Sequence, residues 1–521
     1  GPFTSKVMLE GPIVKAETGK GSLSYILSGR SSYLDRTSKY FYGYIDKDGL
    51  PYRFNDLYGK ITLTGPVGSK VSFYGFRFDD KASLIQSSAF KWNSFGIGSK
   101  FLLLPAGSSV LISGIFAYSN YKIGITEATI SPRNSEVNGF NASMNFTYFI
   151  KRHEVVYGIE ILGNKTQFVG FSPTGIKQEL LKFNTELAGY FKSRIVIHQA
   201  SSIKHQPSSY RPILIIEPGF RLHYYASLNN LFPEPRLGVK YNLNNRIRLK
   251  VAGGLYAQNL IATRSDRDVV NLFVGFISSP EIIYDYKGDR IDNRLQMARH
   301  LVGGVEIDLK NNIEVNIEPY VKDFIQLVNI NRDRIERDDP EYIVETGLAK
   351  GIDLLIKYDY KKLYLQTGYS FASVERKFGS ETYYPNFDRR HNLNIVASYT
   401  GGTGWVFAAR WNLGSGFPFT QTAGFYEDIT FQSGIDTDVT TANGQLGILY
   451  AEYNKGRLPW YHRLDLSVKK TFQFSQYSAL EINASVINVY NRANLFYFDR
   501  VNYTRVNQLP VLPSVGVNLR F

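Results

Sequence analysis

Apolar and polar residues alternate strictly along most of the chain. From Phe140 to Ile150 every second residue is apolar, and residues 141 to 147 between them are Asn, Ser, Asn and Thr. A second stretch alternates from Val305 to Ile317, on both sides of a short polar turn at 310–312. A period of two predicts β-strands. A tight turn between two such segments predicts a hairpin whose apolar side chains share one face.

Strand length and loop length together favour a membrane barrel. A soluble β-sandwich shows the same alternation, but the strands here run over about 10–15 residues. That length exceeds the ~5–6 residues of globular sheets and suits a tilted membrane strand of ~9–11 residues with overhang. Short turns are predicted at 66–69, 151–154, 244–246, 310–312, 359–362 and 473–477, and long loops at 35–55, 261–299, 332–342 and 417–459. Short turns on one side and long loops on the other are typical of bacterial outer-membrane proteins.

The predicted fold class is therefore all-β, a transmembrane antiparallel β-barrel of about 22 strands. Every backbone polar group in a bilayer must be paired internally, which a closed barrel achieves. Apolar side chains then face lipid, and polar side chains line the lumen. We expect one barrel domain over residues 1–521, in the bacterial outer membrane.

The strand count suggests that one strand precedes this chain. About 21 strands are predicted, whereas bacterial single-chain barrels have even numbers. Ser22–Tyr33 leads into a long, external loop, so Thr4–Ile13 runs towards the periplasm, as does the last strand. Two strands of the same direction would meet at a parallel seam, and a first strand before Gly1 would avoid it.

The C-terminal strand is amphipathic and ends in phenylalanine. Val515, Val517, Leu519 and Phe521 point to one face, alternating with polar residues and a glycine. This arrangement resembles the signal that outer-membrane insertion machinery recognises. We therefore expect these four residues to act as an insertion signal.

Composition excludes several classes of protein. The 521 residues include no cysteine, which rules out disulfide frameworks and thiolate metal sites, and no apolar run approaches the ~20 residues of a transmembrane helix. The net charge is +14, but Lys and Arg are scattered, so no nucleic-acid partner is expected. Basic outer loops are instead expected to contact lipopolysaccharide and the surrounding outer-membrane lipid.

No enzymatic or metal chemistry is predicted. The nearest histidine pair, His198 and His205, lacks a carboxylate at metal-ligand spacing and is better explained as loop sequence. The charge-balanced segment 332–339 is better explained as a solvated loop than as a calcium site. No nucleophile elbow or phosphate-binding loop occurs. We expect no catalytic residue, no cofactor and no resident metal.

Seven charged residues are candidates for the lumen surface because they alternate with apolar neighbours. They are Arg221, Glu306, Glu314, Glu318, Arg463, Asp465 and Lys469. They could contact a substrate or a plug. Alternatively they form a wetted wall, where charges cost little because the interior of such barrels is polar.

Segments spread over nearly the whole chain resemble a TonB-dependent outer-membrane receptor of the Bacteroidetes type. The segments are Leu9–Ile13, Leu27–Tyr33, Tyr52–Lys60, Glu217–Leu222, Pro233–Leu237, Tyr461–Leu466, Val486–Asn494 and Leu512–Ser514. The resemblance implies uptake of a bulky nutrient through a gated lumen, with energy delivered by TonB acting on a plug domain.

Two departures from that family leave an alternative open. Neither the plug domain nor the TonB-binding motif has a counterpart in these residues. A barrel this wide needs a plug, which we expect from residues outside this chain or from another subunit. The alternative is a non-transporting barrel that serves as a scaffold, with its long loops binding a surface lipoprotein or another envelope subunit.

Overall fold

The computed structural model describes residues 1–84, 88–126, 132–171, 177–198, 212–263, 273–310, 312–331, 338–428, 445–500 and 503–521. These residues contain one α-helix, α1 (Leu34–Phe41), and two 3-10 turns, Ala226–Leu228 and Gly402–Gly404. The strands are β1 (Thr4–Val14), β2 (Ser22–Ser32), β3 (Tyr52–Thr64), β4 (Lys70–Leu84), β5 (Ser88–Leu103), β6 (Val110–Thr126), β7 (Arg133–Ile150), β8 (His153–Phe171), β9 (Lys177–His198), β10 (Pro212–Tyr225), β11 (Asn230–Asn242), β12 (Ile247–Gln258), β13 (Leu260–Thr263), β14 (Gly275–Ser278), β15 (Ile283–Tyr284), β16 (Arg290–Ile291), β17 (Gln296–Lys310), β18 (Ile313–Ile330), β19 (Tyr342–Tyr360), β20 (Leu363–Phe378), β21 (Glu381–Tyr383), β22 (His391–Thr400), β23 (Trp405–Gly414), β24 (Pro418–Phe419), β25 (Thr422–Asp428), β26 (Gln445–Tyr450), β27 (Gly456–Arg457), β28 (Tyr461–Gln473), β29 (Ala479–Ile487), β30 (Leu495–Asp499), β31 (Thr504–Asn507) and β32 (Leu512–Arg520).

One large antiparallel sheet dominates the fold, as predicted. It contains 22 strands, one of which, β21, is a three-residue addition paired with the end of β20. The 21 long strands agree with the predicted number, and the additional first strand stays a prediction. The strands of this sheet reach 22 residues in β9, which is longer than the predicted 10–15. No helix among the described residues is long and apolar enough to span a bilayer.

The chain divides into two compact units. Unit 1 comprises the described residues of 1–263, 273–346 and 515–517, and unit 2 comprises the described residues of 347–514 and 518–521. In unit 1, β1 to β12 pair in sequence, β12 pairs with β17, and β17 pairs with β18. In unit 2, β20 pairs with β22, and β22, β23, β28 and β29 follow one another.

Most short connections lie at one end of the strands in each unit, and most long connections lie at the other. In unit 1 the turns 65–69, 151–152 and 243–246 share one end, and the 33–51 connection lies at the other. In unit 2 the turns 361–362, 401–404 and 474–478 share one end. The predicted alternation of loop lengths therefore holds for these connections but not throughout unit 1. The turn 226–229 and the three residues between β4 and β5 are short connections at the long-loop end, and 13 residues separate β9 from β10 at the other end.

Each strand presents one apolar and one polar face because side chains alternate at a period of two. In β7, Phe140, Met144, Tyr148 and Ile150 are exposed large apolar residues. In β17, Leu301 and Leu309 are likewise exposed. A continuous face of large, exposed apolar side chains is unfavourable in water but is stable in contact with lipid acyl chains.

Two predicted loops contain regular structure. The 35–55 loop begins with α1, and the 261–299 loop contains two short hairpins, β13 with β14 and β15 with β16. The predicted turn at 151–154 is shorter than expected, since β8 begins at His153 and Lys151 adopts a left-handed conformation (φ 56°).

Candidate functional site

A cluster of ion pairs centred on Glu306 occupies the polar face of unit 1. Arg248 donates from Nε to Glu306 Oε2 at 2.7 Å, and Lys240 donates from Nζ to the same oxygen at 3.2 Å. Lys250 pairs with the other carboxylate oxygen of Glu306. Three cations therefore share one carboxylate, whose side chain is only 15% exposed.

Two further carboxylates balance these cations. Arg248 makes a two-pronged contact with Asp308, at 2.6 Å and 2.8 Å, and Lys250 lies 3.7 Å from Glu318. The cluster thus joins three cations to three anions, with no net charge. A planar guanidinium suits this arrangement because its fixed fork of donors can bind two carboxylates at once.

Strand register explains why these residues meet. Lys240 of β11 lies opposite Lys250 of β12, and Arg248 of β12 lies opposite Glu306 of β17. Their neighbours in sequence, such as Leu249 and Val251, are exposed on the apolar face. The cluster therefore lies on the face that the sequence assigned to the lumen.

The other predicted lumen residues also find partners. Arg221 donates to Glu160 at 2.8 Å, Arg463 pairs with Asp465 at 2.9 Å, and Lys469 lies 3.9 Å from Glu481. Glu314 is half-buried and lies opposite Asp308 in the register of β17 and β18. The structure brings Glu306, Glu318 and their cations together, whereas Arg221 and Lys469 belong to separate pairs. Their contact with a substrate or a plug stays a prediction.

Sequence reasoning missed a histidine between two carboxylates. His223 Nε2 lies 3.2 Å from Glu186, and Nδ1 lies 3.8 Å from Glu234, which also binds Arg236 at 2.5 Å. These residues lie on three neighbouring strands, β9, β10 and β11. Among the described residues, no group of three or more His, Asp or Glu is arranged to hold a metal ion.

A hairpin from the 261–299 loop folds back across the polar face of unit 1. Ser135 of β7 accepts a hydrogen bond from the Phe276 amide at 2.8 Å, and the hydroxyls of Thr166 and Ser278 lie 2.9 Å apart. Phe276 also packs edge-on against Tyr121. The hairpin of β13 and β14 therefore covers polar side chains near one end of β6, β7 and β8, and a loop-length argument could not locate it.

A salt bridge anchors the segment that follows this hairpin. Lys182 of β9 donates to Glu281 at 2.8 Å. Hydrogen bonding by the Lys182 ammonium holds the pKa of the Glu281 carboxyl below its usual value. Both groups contact solvent, and we therefore assign the pair an orienting role rather than a large share of stability.

Some predictions fall partly outside the described residues. His198 ends β9, whereas His205 lies outside the described residues, so the structure does not test their separation. Residues 332–337 of the charge-balanced segment also lie outside them. The predicted insertion signal is described: Val515, Val517, Leu519 and Phe521 are all exposed, on or directly after β32.

No protein-family model matches the chain, and no curated protein is similar to it in sequence. Solved structures are similar in fold. The outer membrane transporter YddB from Escherichia coli aligns at 12% identity and a TM-score of 0.61, covering 99% of this chain and 75% of that chain. The ferric citrate transporter FecA aligns at 15% identity and a TM-score of 0.63, with the same coverage. FpvA from P. aeruginosa, in complex with a pyoverdine and iron, aligns at 10% identity and a TM-score of 0.65, covering 99% of this chain and 70% of that chain.

These structural neighbours are TonB-dependent outer-membrane receptors. They are transporters and receptors rather than enzymes. Their barrels agree with the predicted fold class and support the predicted location in the bacterial outer membrane. The chain has the antiparallel β-barrel fold of outer-membrane transporters.

Proposed function

We propose that this chain is the barrel of a TonB-dependent transporter that imports a bulky nutrient through its lumen. The observation that carries the proposal is the match of 99% of the chain to transporter barrels such as YddB and FecA. The structures of similar fold include a ferric citrate transporter, a siderophore receptor and a copper transporter. The resemblance to the Bacteroidetes type belongs to the same proposal.

The distribution of charge supports a solute passage. The cluster around Glu306 is neutral and satisfied by its own residues, so it offers a hydrated polar wall without a fixed excess of charge. The opposite face carries exposed Leu, Ile, Val and Phe side chains that suit acyl chains. A polar wall of this kind is compatible with the passage of large polar solutes, while the apolar face of the same strands contacts lipid.

The proposal requires a plug and TonB to gate and energise uptake. Both are expected partners of this chain. A plug would contact the polar face, where the carboxylates and cations of unit 1 and unit 2 supply hydrogen-bonding groups. Lipopolysaccharide and a surface lipoprotein are further expected partners at the lipid-facing surface and at the long loops.

Nutrient uptake by a deletion strain tests the proposal. The gene for the intact protein is deleted in the source bacterium, and accumulation of radiolabelled iron chelates, cobalamin, oligosaccharides and peptides is measured. Loss of one uptake activity, its restoration by the wild-type gene, and its abolition by a protonophore or by deletion of TonB would support energised import.

The scaffold alternative gives a different result in the same strain. Uptake of every tested nutrient would be unchanged, while a specific envelope lipoprotein would lose its place in an outer-membrane complex. Uptake that survives loss of the proton gradient would also contradict a TonB-driven mechanism.

A further inference from the structure

An arginine-rich cavity lies on the polar face of unit 2. Its volume is about 320 Å³, and Arg389, Arg410 and Arg463 line it together with three asparagines. The lining residues come from β22, β23 and β28, with Arg389 just before β22 and Gln508 between β31 and β32. The cavity adjoins the ends of these strands that lead into the 415–460 connection, the longest in unit 2.

The pairing of three strands places polar side chains next to one another along this cavity. Asn394 of β22 lies opposite Asn412 of β23, which lies opposite Arg463 of β28. One step further along the same face, Arg410 lies opposite Asp465. Amide and guanidinium groups therefore project side by side from three adjacent strands, in a row that offers mainly hydrogen-bond donors.

Carboxylates satisfy some of the arginines of this region but not all of them. Asp465 binds Arg463 at 2.9 Å, and the fully buried Asp388 binds both Arg390 and Arg457. Among the described residues, neither Arg389 nor Arg410 has a carboxylate within ion-pair distance. The cavity therefore has three lining cations and a single adjacent anion, an excess of positive charge.

Arg389 is the most unusual of these cations. Its guanidinium carbon lies 4.1 Å from the centre of the Phe417 ring, and its Nε is buried without a hydrogen-bond acceptor among the described residues. Burial lowers the pKa of the Arg389 guanidinium from its ordinary value. Burying a cation without an anion costs free energy, whereas stacking on an aromatic ring leaves the edge of the guanidinium open to an acceptor.

Gly414 leaves space for the Arg389 guanidinium because glycine has no Cβ atom. A Cβ atom built on Gly414 would lie 2.5 Å from Cζ of Arg389. The close approach is possible only with glycine, because any larger residue would push the guanidinium away. The cavity is therefore shaped around a cation that the described residues do not neutralise.

We propose that this cavity binds a small oligoanion, a solute that carries two or more carboxylate or phosphate groups. Arginine is suited to both groups because its planar fork matches their oxygens, and the volume lies at the lower end of the range for small-molecule sites. This inference rests on the proposed function, because it names the chemical class of the solute that the barrel would transport. The binding step itself needs neither TonB nor transport.

Calorimetry on the full chain in detergent tests the proposal. The probes are propane-1,2,3-tricarboxylate, pyrophosphate, and the neutral trimethyl ester of the tricarboxylate. We expect binding of at least one anion and none of the ester, and the two anions distinguish a carboxylate ligand from a phosphate ligand. Arg389→Gln and Arg410→Gln should each lower the affinity about tenfold or more, because each removes charge-assisted hydrogen bonds.

Two further variants separate a specific site from a general charge effect. Gly414→Ala keeps every charge but displaces Arg389, and it should also lower the affinity about tenfold. Arg299→Gln changes the net charge equally at an exposed pair with Asp323 in unit 1, and it should leave the affinity unchanged. Heat-dependent gel mobility, which reports barrel folding, confirms that each variant is folded.

Several results would overturn the proposal. It fails if the wild-type protein binds neither anion, if it binds the ester equally well, or if Arg299→Gln weakens binding as much as Arg389→Gln. These outcomes are distinguishable from failure of the proposed function. Anion binding without energised uptake would refute transport alone, and energised uptake of a neutral nutrient without anion binding would refute this inference alone.

Discussion

Replacing Glu306 with glutamine tests whether the central carboxylate holds the polar face of unit 1 together. The substitution keeps the size of the side chain but removes its charge. Arg248, Lys240 and Lys250 then lose the anion that they share. Asp308 still binds Arg248, and Glu318 still lies 3.7 Å from Lys250.

The expected loss follows from the burial of the partners. Fully exposed ion pairs contribute about 0–1 kcal/mol, and removal of one partner of a buried pair costs about 3–5 kcal/mol. The Glu306 side chain is 15% exposed, and those of its three partners are 21–35% exposed, so the cluster lies between these limits. We expect Glu306→Gln to lower the free energy of unfolding by about 2–3 kcal/mol.

Glu318→Gln provides a matched control. This carboxylate is more exposed, at 39%, and its ion pair with Lys250 is longer, at 3.7 Å. The same chemical change should therefore cost less than about 1 kcal/mol. Urea-induced unfolding in phospholipid vesicles, followed by tryptophan fluorescence, measures both variants against the wild type.

Equal losses for Glu306→Gln and Glu318→Gln would refute the reasoning, since burial would then not decide the magnitude. A loss at Glu306 that disappears in 1 M salt would also refute it. Salt at this concentration shortens the screening length to about 3 Å and weakens exposed pairs more than half-buried ones. The wild-type protein in the same salt provides the reference.

Three other substitutions and one deletion test the assignment of faces, the packing of the hairpin and the C-terminal signal. The Leu301 side chain is 58% exposed, and if it faces lipid, Leu301→Arg should lower the free energy of unfolding in vesicles by about 2–4 kcal/mol. Val302→Arg, on the opposite face, should lower it much less. Similar losses for the two variants would contradict the assignment of faces. Deletion of Phe521 should lower the heat-modifiable, folded fraction in outer membranes, and unchanged assembly would exclude an insertion signal. Ile277→Ala, at a side chain that is 1% exposed, should loosen the hairpin by about 2–5 kcal/mol. Limited proteolysis within 259–295 measures this loosening, and a wild-type cleavage rate would contradict the packing.

The sheet could be predicted because its signal is local. The alternation over 140–150 needs no partner strand to be recognised, and the polar turn at 244–246 fixes the pairing of Lys240 with Lys250 in advance. A period of two in sequence becomes two faces in space without any tertiary information. Strand number and loop lengths followed from the same pattern.

The contacts of the site could not be predicted because they depend on pairing across long connections. Arg248 meets Glu306 only when β12 pairs with β17, which lie on either side of the 259–295 segment. Arg389 belongs to a segment between strands, where no periodicity indicates where a side chain points. The hairpin of β13 and β14 was missed since its strands have four residues each, too few to show a pattern.

The charges around Glu306 also bear on how faithfully the strands are matched during assembly. A shift of one residue in the pairing of β12 would turn its faces over, which would direct Arg248 and Lys250 towards acyl chains. Placing a basic side chain at the bilayer midplane costs about 2–4 kcal/mol. The carboxylates that pair with these side chains would lose their partners at the same time. A misaligned barrel would therefore bury cations in lipid and also lose their ion pairs. The cluster thus favours the correct strand register over a register shifted by one residue.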